Sequence, residues 1–227
     1  MIIAIDGPAG SGKSTIAQGV ARRLGLTYLD TGAMYRAVAL IAMEQSLPLD
    51  DDDALGSLAL KVPLRFSGAP GAAPQVHVGD RDVTEAIRLP AVSQKVSLVA
   101  AHPNVRRALT VRQREIVEIG DIVLEGRDTG TVVCPRADLK VYLTASVEER
   151  ARRRQSQLQE QGVCITLSSL ERELVLRDTH DAGRAVAPLR KARDAMEIDT
   201  TDLSANVVIE RICDEAIRRA GGEERAC

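Results

Sequence analysis

Apolar residues along this chain follow two rhythms: short continuous runs of strand length, and stripes that recur every three or four positions. Ile2-Ile3-Ala4-Ile5 is the first run, and behind it Ile16, Val20 and Leu24 recur at helical spacing. Gly25 is a natural stop just past Leu24. Thr27-Tyr28-Leu29-Asp30 reads as a second strand, and from Thr31 a helix carries Val38, Ile41 and Ala42 on one face. The acidic run Asp50 to Asp53 suits the dipole of a helix expected over Ala54 to about Lys61. The rhythm then breaks. Between about Val62 and Thr84, Pro63, Pro70, Pro74 and three glycines punctuate alternating bursts: Leu64-Arg65-Phe66, Val76-His77-Val78 and Arg81-Asp82-Val83, with a Gly79-Asp80 turn. This predicts a small inserted antiparallel sheet with a floppy loop at Ser67 to Pro74, in which His77 reads as structural.

Helical stripes return with Val92, Val96 and Val99 behind Pro90, a residue tolerated in a first turn. A further helix places Val105, Leu109, Ile116 and Ile119 roughly on one side, with Asn104 as its candidate cap. Arg106, Arg107, Arg112 and Arg114 decorate it and read mostly as solvated, one near a strand end being available to a substrate. Asp121 to Glu125 and Leu139 to Leu143 are strands. Two highly charged helices, Val147 to about Gln159 and about Ser168 to Asp178, flank a break at Gln161-Gly162, with Arg177, Asp178, Asp181 and Arg184 running on past the second. Met196 to Asp199 is a last strand. Ser204 or Asn206 caps a final helix with Val208, Ile212 and Ala216 inward, and the chain frays from Gly221. Alternating strands and helices of this kind belong to an α/β fold with a parallel sheet flanked by helices.

The strongest chemical signal sits between the first strand and the first helix. Gly7-Pro8-Ala9-Gly10-Ser11-Gly12-Lys13-Ser14 reads G-x-x-x-x-G-K-S, the phosphate-binding loop pattern. Glycines let successive N–H groups curl around an anion, and the helix behind adds about half a positive charge. Lys13 then reaches the β- and γ-phosphates of a nucleoside triphosphate, and the Ser14 hydroxyl holds Mg²⁺. The strand before and the helix after the motif set aside a chance glycine turn. A second stretch, Leu124-Glu125-Gly126-Arg127-Asp128-Thr129-Gly130, ends a strand in an acid suited to positioning Mg²⁺. Its Arg127-Asp128 pair offers both charges to one ligand, although a turn with a local ion pair would look the same. The two charged helices are an exposed hairpin or a mobile lid over an anionic site, and the phosphate loop upstream favours the lid.

Composition narrows the classes. A 227-residue chain holds one α/β domain with an insertion, or two small domains. A net charge of −2 speaks against a general nucleic-acid or anionic-membrane binder. Of 30 basic residues only five are Lys, and the arginine-rich balance suits phosphate, although coding bias explains most of it. Cys134, Cys164, Cys213 and Cys227 are scattered, which argues against zinc and against a disulfide framework. Without a membrane-length apolar run or a signal-peptide core, the expectation is a cytoplasmic protein.

Four segments together resemble a family. Gly7 to Thr15 as GPAGSGKST, Leu29 to Arg36 as LDTGAMYR, Glu125 to Thr131 as EGRDTGT and Arg177 to Leu189 as RDTHDAGRAVAPL are similar, in order and spacing, to bacterial cytidylate kinases. The resemblance spans essentially the whole chain. It implies a P-loop NTPase fold, with a core over about 1–30, 120–150 and 185–227. It implies a monophosphate-binding region over about 31–119, with the β insert at about 62–86, and a helical lid over about 151–184. It implies transfer of the γ-phosphoryl of ATP to CMP or dCMP with Mg²⁺. Neither nucleic acid nor membrane is expected as a partner on charge and hydropathy, and the chain is expected to be a monomer.

By position, the resemblance puts Gly7, Pro8, Ala9, Gly10, Ser11, Gly12, Lys13, Ser14 and Thr15 on ATP. Thr31 and Arg36 fall on the acceptor phosphate, and Ser97, Arg106 and Asp128 on cytosine. Arg127 and Arg184 match phosphate-binding arginines, and Arg177 and Asp181 match residues around the sugar and the transferring phosphate. Lys13, Arg127, Arg177 and Arg184 are the implied catalytic cations, and Ser14 and Glu125 the metal-side oxygens. Two departures stand out: Glu125 where many members have Asp, and His180 and Ala182 where some carry extra Arg. The bottom-up reading agrees, because cytosine needs an acceptor for its amine, which Asp128 supplies, and donors for N3 and O2, from Arg106 and Ser97.

The rivals are another small-molecule kinase of this architecture, a GTPase-like switch and a structural protein with a vestigial loop. Uracil would present O4 to Asp128, acceptor against acceptor. A GTPase would need N-K-x-D, and no lysine here has Asp two residues later. A vestigial loop would not need Lys13.

Overall fold

In the computed structural model, which describes residues 1–68, 74–160 and 162–223, five parallel strands form the central sheet. They are β1 (Ile2–Asp6), β2 (Thr27–Asp30), β6 (Ile122–Gly126), β7 (Leu139–Thr144) and β8 (Met196–Asp199), in the order β2-β6-β1-β7-β8. The pleat sends alternate residues to opposite faces. Ile3, Ile5, Val123 and Val141 pack with Ile16 and Val20 of α1 (Lys13–Leu24) and with Val208, Ile212 and Ala216 of the last helix, α8 (Ala205–Glu223). On the other face Ala4, Leu29 and Leu124 meet Val117 and Val133. Glu125 registers with Ile5 on one side and Asp30 on the other, so β1, β2 and β6 end together. In open parallel sheets this carboxyl edge is where ligands bind.

A second core lies beyond that edge. It joins α2 (Thr31–Glu44), α3 (Asp52–Lys61), α4 (Pro90–Val99) and α5 (Pro103–Val117), with Met34, Val38, Leu55, Val96 and Leu109 buried in it. The antiparallel strands β3 (Leu64–Ser67), β4 (Gln75–Val78) and β5 (Arg81–Asp82) pack on it through Val76, and a short 3-10 turn, Ala86–Arg88, leads on to α4. The expected loop at Ser67 to Pro74 lies mostly outside the described residues. The third body is a hairpin of α6 (Val147–Glu160) and α7 (Leu167–Gly183), whose Ala151, Leu158, Leu170 and Leu174 close on Ala9 of the glycine loop.

Several expectations need correction. The acidic run starts its helix two residues early: Asp51 is the cap, accepting from the Ala54 N–H at 3.0 Å, and Asp52 and Asp53 form the first turn. Asn104 is not a cap. Pro103 opens α5, and Asn104 inside it donates its N–H to Asp52 and its amide to Asp53, joining α5 to α3. Ile119 lies past the end of α5 and is exposed, not inward. Of the arginines of α5, Arg107 and Arg114 are exposed as expected, while Arg112 is half-buried and Arg106 departs from the expectation. Arg112 donates to the carbonyls of Leu60 and Val62, Arg114 to those of Val132 and Val133, and Arg106 is buried. The helix expected to end near Asp178 runs to Gly183 and takes in Arg177, Asp178 and Asp181. After β6 the chain forms one π-helical turn, Thr129–Val133, where a loop was expected. The helix α8 continues to Glu223 past the expected fray at Gly221, and 224–227 lie outside the described residues.

Candidate active site

The three bodies enclose a cleft of about 1000 Å³. Among the residues singled out by sequence, Ala9, Gly10, Gly12, Lys13, Ser14, Thr15, Thr31, Arg36, Ser97, Arg106, Glu125, Arg127, Asp128, Arg177, Asp181 and Arg184 line it. Gly7, Pro8 and Ser11 stand behind the lining. A Cβ on Gly7 would come within 2.2 Å of the Leu143 carbonyl oxygen, so only glycine lets β7 pass this close to the loop. Gly12 caps α1 at φ 86°, a left-handed conformation, and leaves the helix N-terminus without a side-chain cap. The free N–H groups and the dipole of α1 therefore face the cleft, a ready anion site.

Lys13 is buried, and its Nζ donates to the Pro8 carbonyl at 2.6 Å. Burial lowers its pKa from the usual lysine range to about 7, and Arg127 and Arg177 push the same way while Glu125 opposes them. Glu125 lies close by at the end of β6. Burial and the neighbouring Asp30 raise its pKa, against the pull of Lys13 and of the Ser14 and Tyr28 hydroxyls. Tyr28 Oη donates to Glu125 Oε1. Ser14 and Glu125 thus form a hard oxygen pair beside the loop. Among the described residues no group of three or more His, Cys, Asp or Glu is arranged for a metal. That set does not fit an all-protein cage. It fits an ion that keeps water and phosphate oxygens as its other ligands, as Mg²⁺ does.

On the opposite wall Arg106 and Asp128 form a buried pair, Nη2 to Oδ2 at 2.7 Å. Arg106 also donates to the Ala100 carbonyl at 3.0 Å and stacks 5.3 Å from the centroid of Tyr35. Ser97, one turn before Ala100, lines the same wall. Arg36, held by the N-cap Asp30 of α2, lies between the two walls. The Thr31 hydroxyl donates to the Glu125 carbonyl at 2.6 Å, bridging α2 to β6.

From the hairpin side come Arg177, Asp181 and the helix-ending Arg184. Asp181 accepts from Arg127 Nε at 2.9 Å and from Arg184 Nη2. Burial pushes its carboxyl up, but Arg127, Arg184 and Arg177 outweigh that and hold it below the usual range. Burial and Arg127 lower Arg177 to about 10. The buried Nε atoms of Arg36, Arg106, Arg177 and Arg184 have no protein partner. Arginines from α2, α5 and α7 therefore converge with donor capacity to spare, as the binding of a polyanion requires.

Sequence reading missed other residues here. Asp6 ends β1 and accepts from the Thr129 and Gly130 N–H groups and the Thr129 hydroxyl. Tyr28 read only as a strand residue. Arg150 was one arginine in a charged helix, yet it donates to the Ala9 carbonyl and to Asp178. Asp6, directly before the glycine loop, was the one with a visible signal, a charge at the end of an apolar strand.

The sequence profile of the cytidylate kinase family matches residues 3–218. A cytidylate kinase from Exiguobacterium sibiricum is 49% identical over 215 residues, covering 94% of this chain and 96% of that protein. One from a Geobacillus species is 47% identical, covering 96% and 97%. A bifunctional pantoate ligase/cytidylate kinase from a Synechococcus species is 51% identical over 213 residues, covering 93% of this chain and 39% of that protein.

Proposed function

The chain belongs to the cytidylate kinase family and is a (d)CMP kinase that moves the γ-phosphoryl group of ATP to CMP or dCMP, and we propose the following roles for its residues. The loop Gly7 to Thr15 binds the ATP phosphates through its backbone N–H groups, which every residue but Pro8 supplies, and through Lys13. Ser14 and Glu125 hold Mg²⁺, directly or through water; when bound, the ion supplies positive charge to the phosphate oxygens. Arg36 and Arg127 hold the acceptor phosphate. Thr31 joins them once its hydroxyl turns from the Glu125 carbonyl. Asp181 binds the sugar while orienting Arg127 and Arg184, and Arg177 and Arg184 close on the transferring group.

Phosphoryl transfer asks the protein chiefly to position its two substrates and neutralise charge. Lys13 starts with a depressed pKa, so an arriving triphosphate favours its charged form strongly. The α6–α7 hairpin acts as the lid: closing it excludes water, a competing acceptor. Cytosine sits against Asp128, Arg106 and Ser97. The Arg106 bond occupies Oδ2 of Asp128, and among the described residues no protein donor reaches Oδ1. Oδ1 is therefore the acceptor for the cytosine amine.

The observation that carries this reading is the buried Arg106–Asp128 pair facing the glycine loop across one cleft. A coupled ADP-release assay across CMP, dCMP, UMP and AMP tests it. Turnover with CMP and dCMP well above UMP and AMP is expected; comparable turnover with UMP would remove cytosine reading from this wall. No helix among the described residues is long and apolar enough to cross a membrane. The matching relatives are bacterial, and we propose that the enzyme works as a cytoplasmic monomer.

A further inference from the structure

Asp6 is 4% exposed, yet no cation pairs with it among the described residues. Burying a carboxylate without a counter-ion is unfavourable unless hydrogen bonds replace its water. Three do so here, each 2.8 Å long. Oδ1 accepts from the Thr129 N–H and the Thr129 hydroxyl, and Oδ2 accepts from the Gly130 N–H. A filler of the same shape would have met the packing need at lower cost, so the charge calls for another explanation. Position supplies it. Asp6 is bonded to Gly7, the first residue of the glycine loop, and its three donors directly follow Arg127 and Asp128. Gly130 fits between the side chains of Asp6 and Lys140, where a Cβ would sit 3.4 Å from Oδ2 and 3.3 Å from Lys140 Cδ.

The clamp holds the first two residues of the π turn. With Thr129 and Gly130 fixed, the Asp128 carbonyl accepts from the Val132 and Val133 N–H groups and the Thr129 carbonyl from that of Cys134. Residues 127 and 128 then leave the strand in one direction, into the cleft. We propose that Asp6 is a positioning residue for the acceptor nucleotide: through Thr129 and Gly130 it fixes Arg127 and Asp128 relative to the phosphate loop. This rests on the acceptor-side roles given above to Arg127 and Asp128.

The test compares Asp6→Asn, Thr129→Val and Thr129→Ser in the full chain. Asn at position 6 sets an NH2 against an N–H donor whichever way its amide turns, so one clamp bond is lost. KM for CMP should rise about 10- to 100-fold, the scale expected when a reacting group is misplaced by a fraction of an ångström to an ångström. Affinity for a non-hydrolysable ATP analogue, read by calorimetry, should stay as in the parent. Thr129→Val removes one bond without changing charge and should raise KM for CMP by less; Thr129→Ser keeps the hydroxyl and should restore it.

Asp6 also adds favourable charge near Lys13. If ATP-analogue affinity falls with CMP affinity in Asp6→Asn while Thr129→Val is silent, Asp6 acts through charge and the proposal is overturned. It is equally overturned if the variants only melt earlier, with both substrates unaffected. An Asp128→Asn arm separates the two readings. A CMP:UMP ratio unchanged in that variant would refute base reading by Asp128, while the KM effects at positions 6 and 129 still decide the clamp.

Discussion

Lys13 illustrates how single side chains set the chemistry at this site. Its pKa of about 7 in the folded protein, against 10.5 for an unperturbed lysine, follows from burial and from Arg127 and Arg177. The free enzyme therefore gives up this proton at a lower pH than an exposed lysine would. Bound phosphates favour the ammonium, so ATP-analogue binding should take up protons, more at pH 8 than at pH 6. Calorimetry in two buffers of different ionisation enthalpy reads this directly; equal enthalpies in both would refute it. Lys13→Ala should abolish both the uptake and turnover, with the fold retained. Arg106 marks the limit of residue-scale reading. Helical spacing counts a guanidinium as polar and places it in water. Its partner, Asp128, lies 22 residues further on, and only the family resemblance pointed to the pair. Tyr28 carried no signal at all, and the charge of Asp6 at a strand end did not name its partners, because the meaning of both lies in contacts between distant segments.

At the scale of elements, the sequence was most legible where propensity and packing agree. The strands, α1, α2 and the inserted sheet follow from apolar rhythm and turn chemistry. The C-terminal turn of α7 was not legible, since Arg177, Asp178 and Asp181 look like loop residues until their partners on other segments are known. Arg150 ties the hairpin to the rest: 5% exposed along its side chain, it donates to the Ala9 carbonyl at 3.1 Å and to Asp178 at 2.6 Å. Arg150→Ala strands a partly buried carboxylate and frees the glycine loop from the hairpin. KM for ATP should rise, and amide exchange should quicken across α6 and α7 but not in β1 or β6. Unchanged exchange in the hairpin would contradict this latch. Thr31 ties α2 to β6 in the same way. Thr31→Val, which leaves the buried Glu125 carbonyl without its donor, should lower stability by about 1–3 kcal/mol in urea melts.

For the whole molecule, the order β2-β6-β1-β7-β8 was beyond reach of the sequence patterns, since each non-sequential pairing is set by crossovers and not by local residues. What the patterns did mark was a change of character at about Val62. The inserted strands pack on a core distinct from the one beneath α1 and α8. Ser67 pairs with Gln75 across the β3–β4 hairpin, so replacing 68–74 with a two-residue turn should leave ATP-analogue affinity intact. Lost affinity would place the insert within the phosphate-binding core. On the proposed reading, the molecule's function turns on one cleft that would bind triphosphate at the loop and read cytosine at the facing wall. Steady-state kcat/KM for CMP and UMP, in the parent and in Asp128→Asn, tests this most directly. A site built around a buried polar contact discriminates strongly against a ligand lacking the partner, so CMP should exceed UMP by about 10³ or more in the parent. In Asp128→Asn the gap should narrow, mainly through loss of CMP activity, because the ionised acceptor made the stronger bond. A CMP:UMP ratio unchanged by the substitution would contradict it.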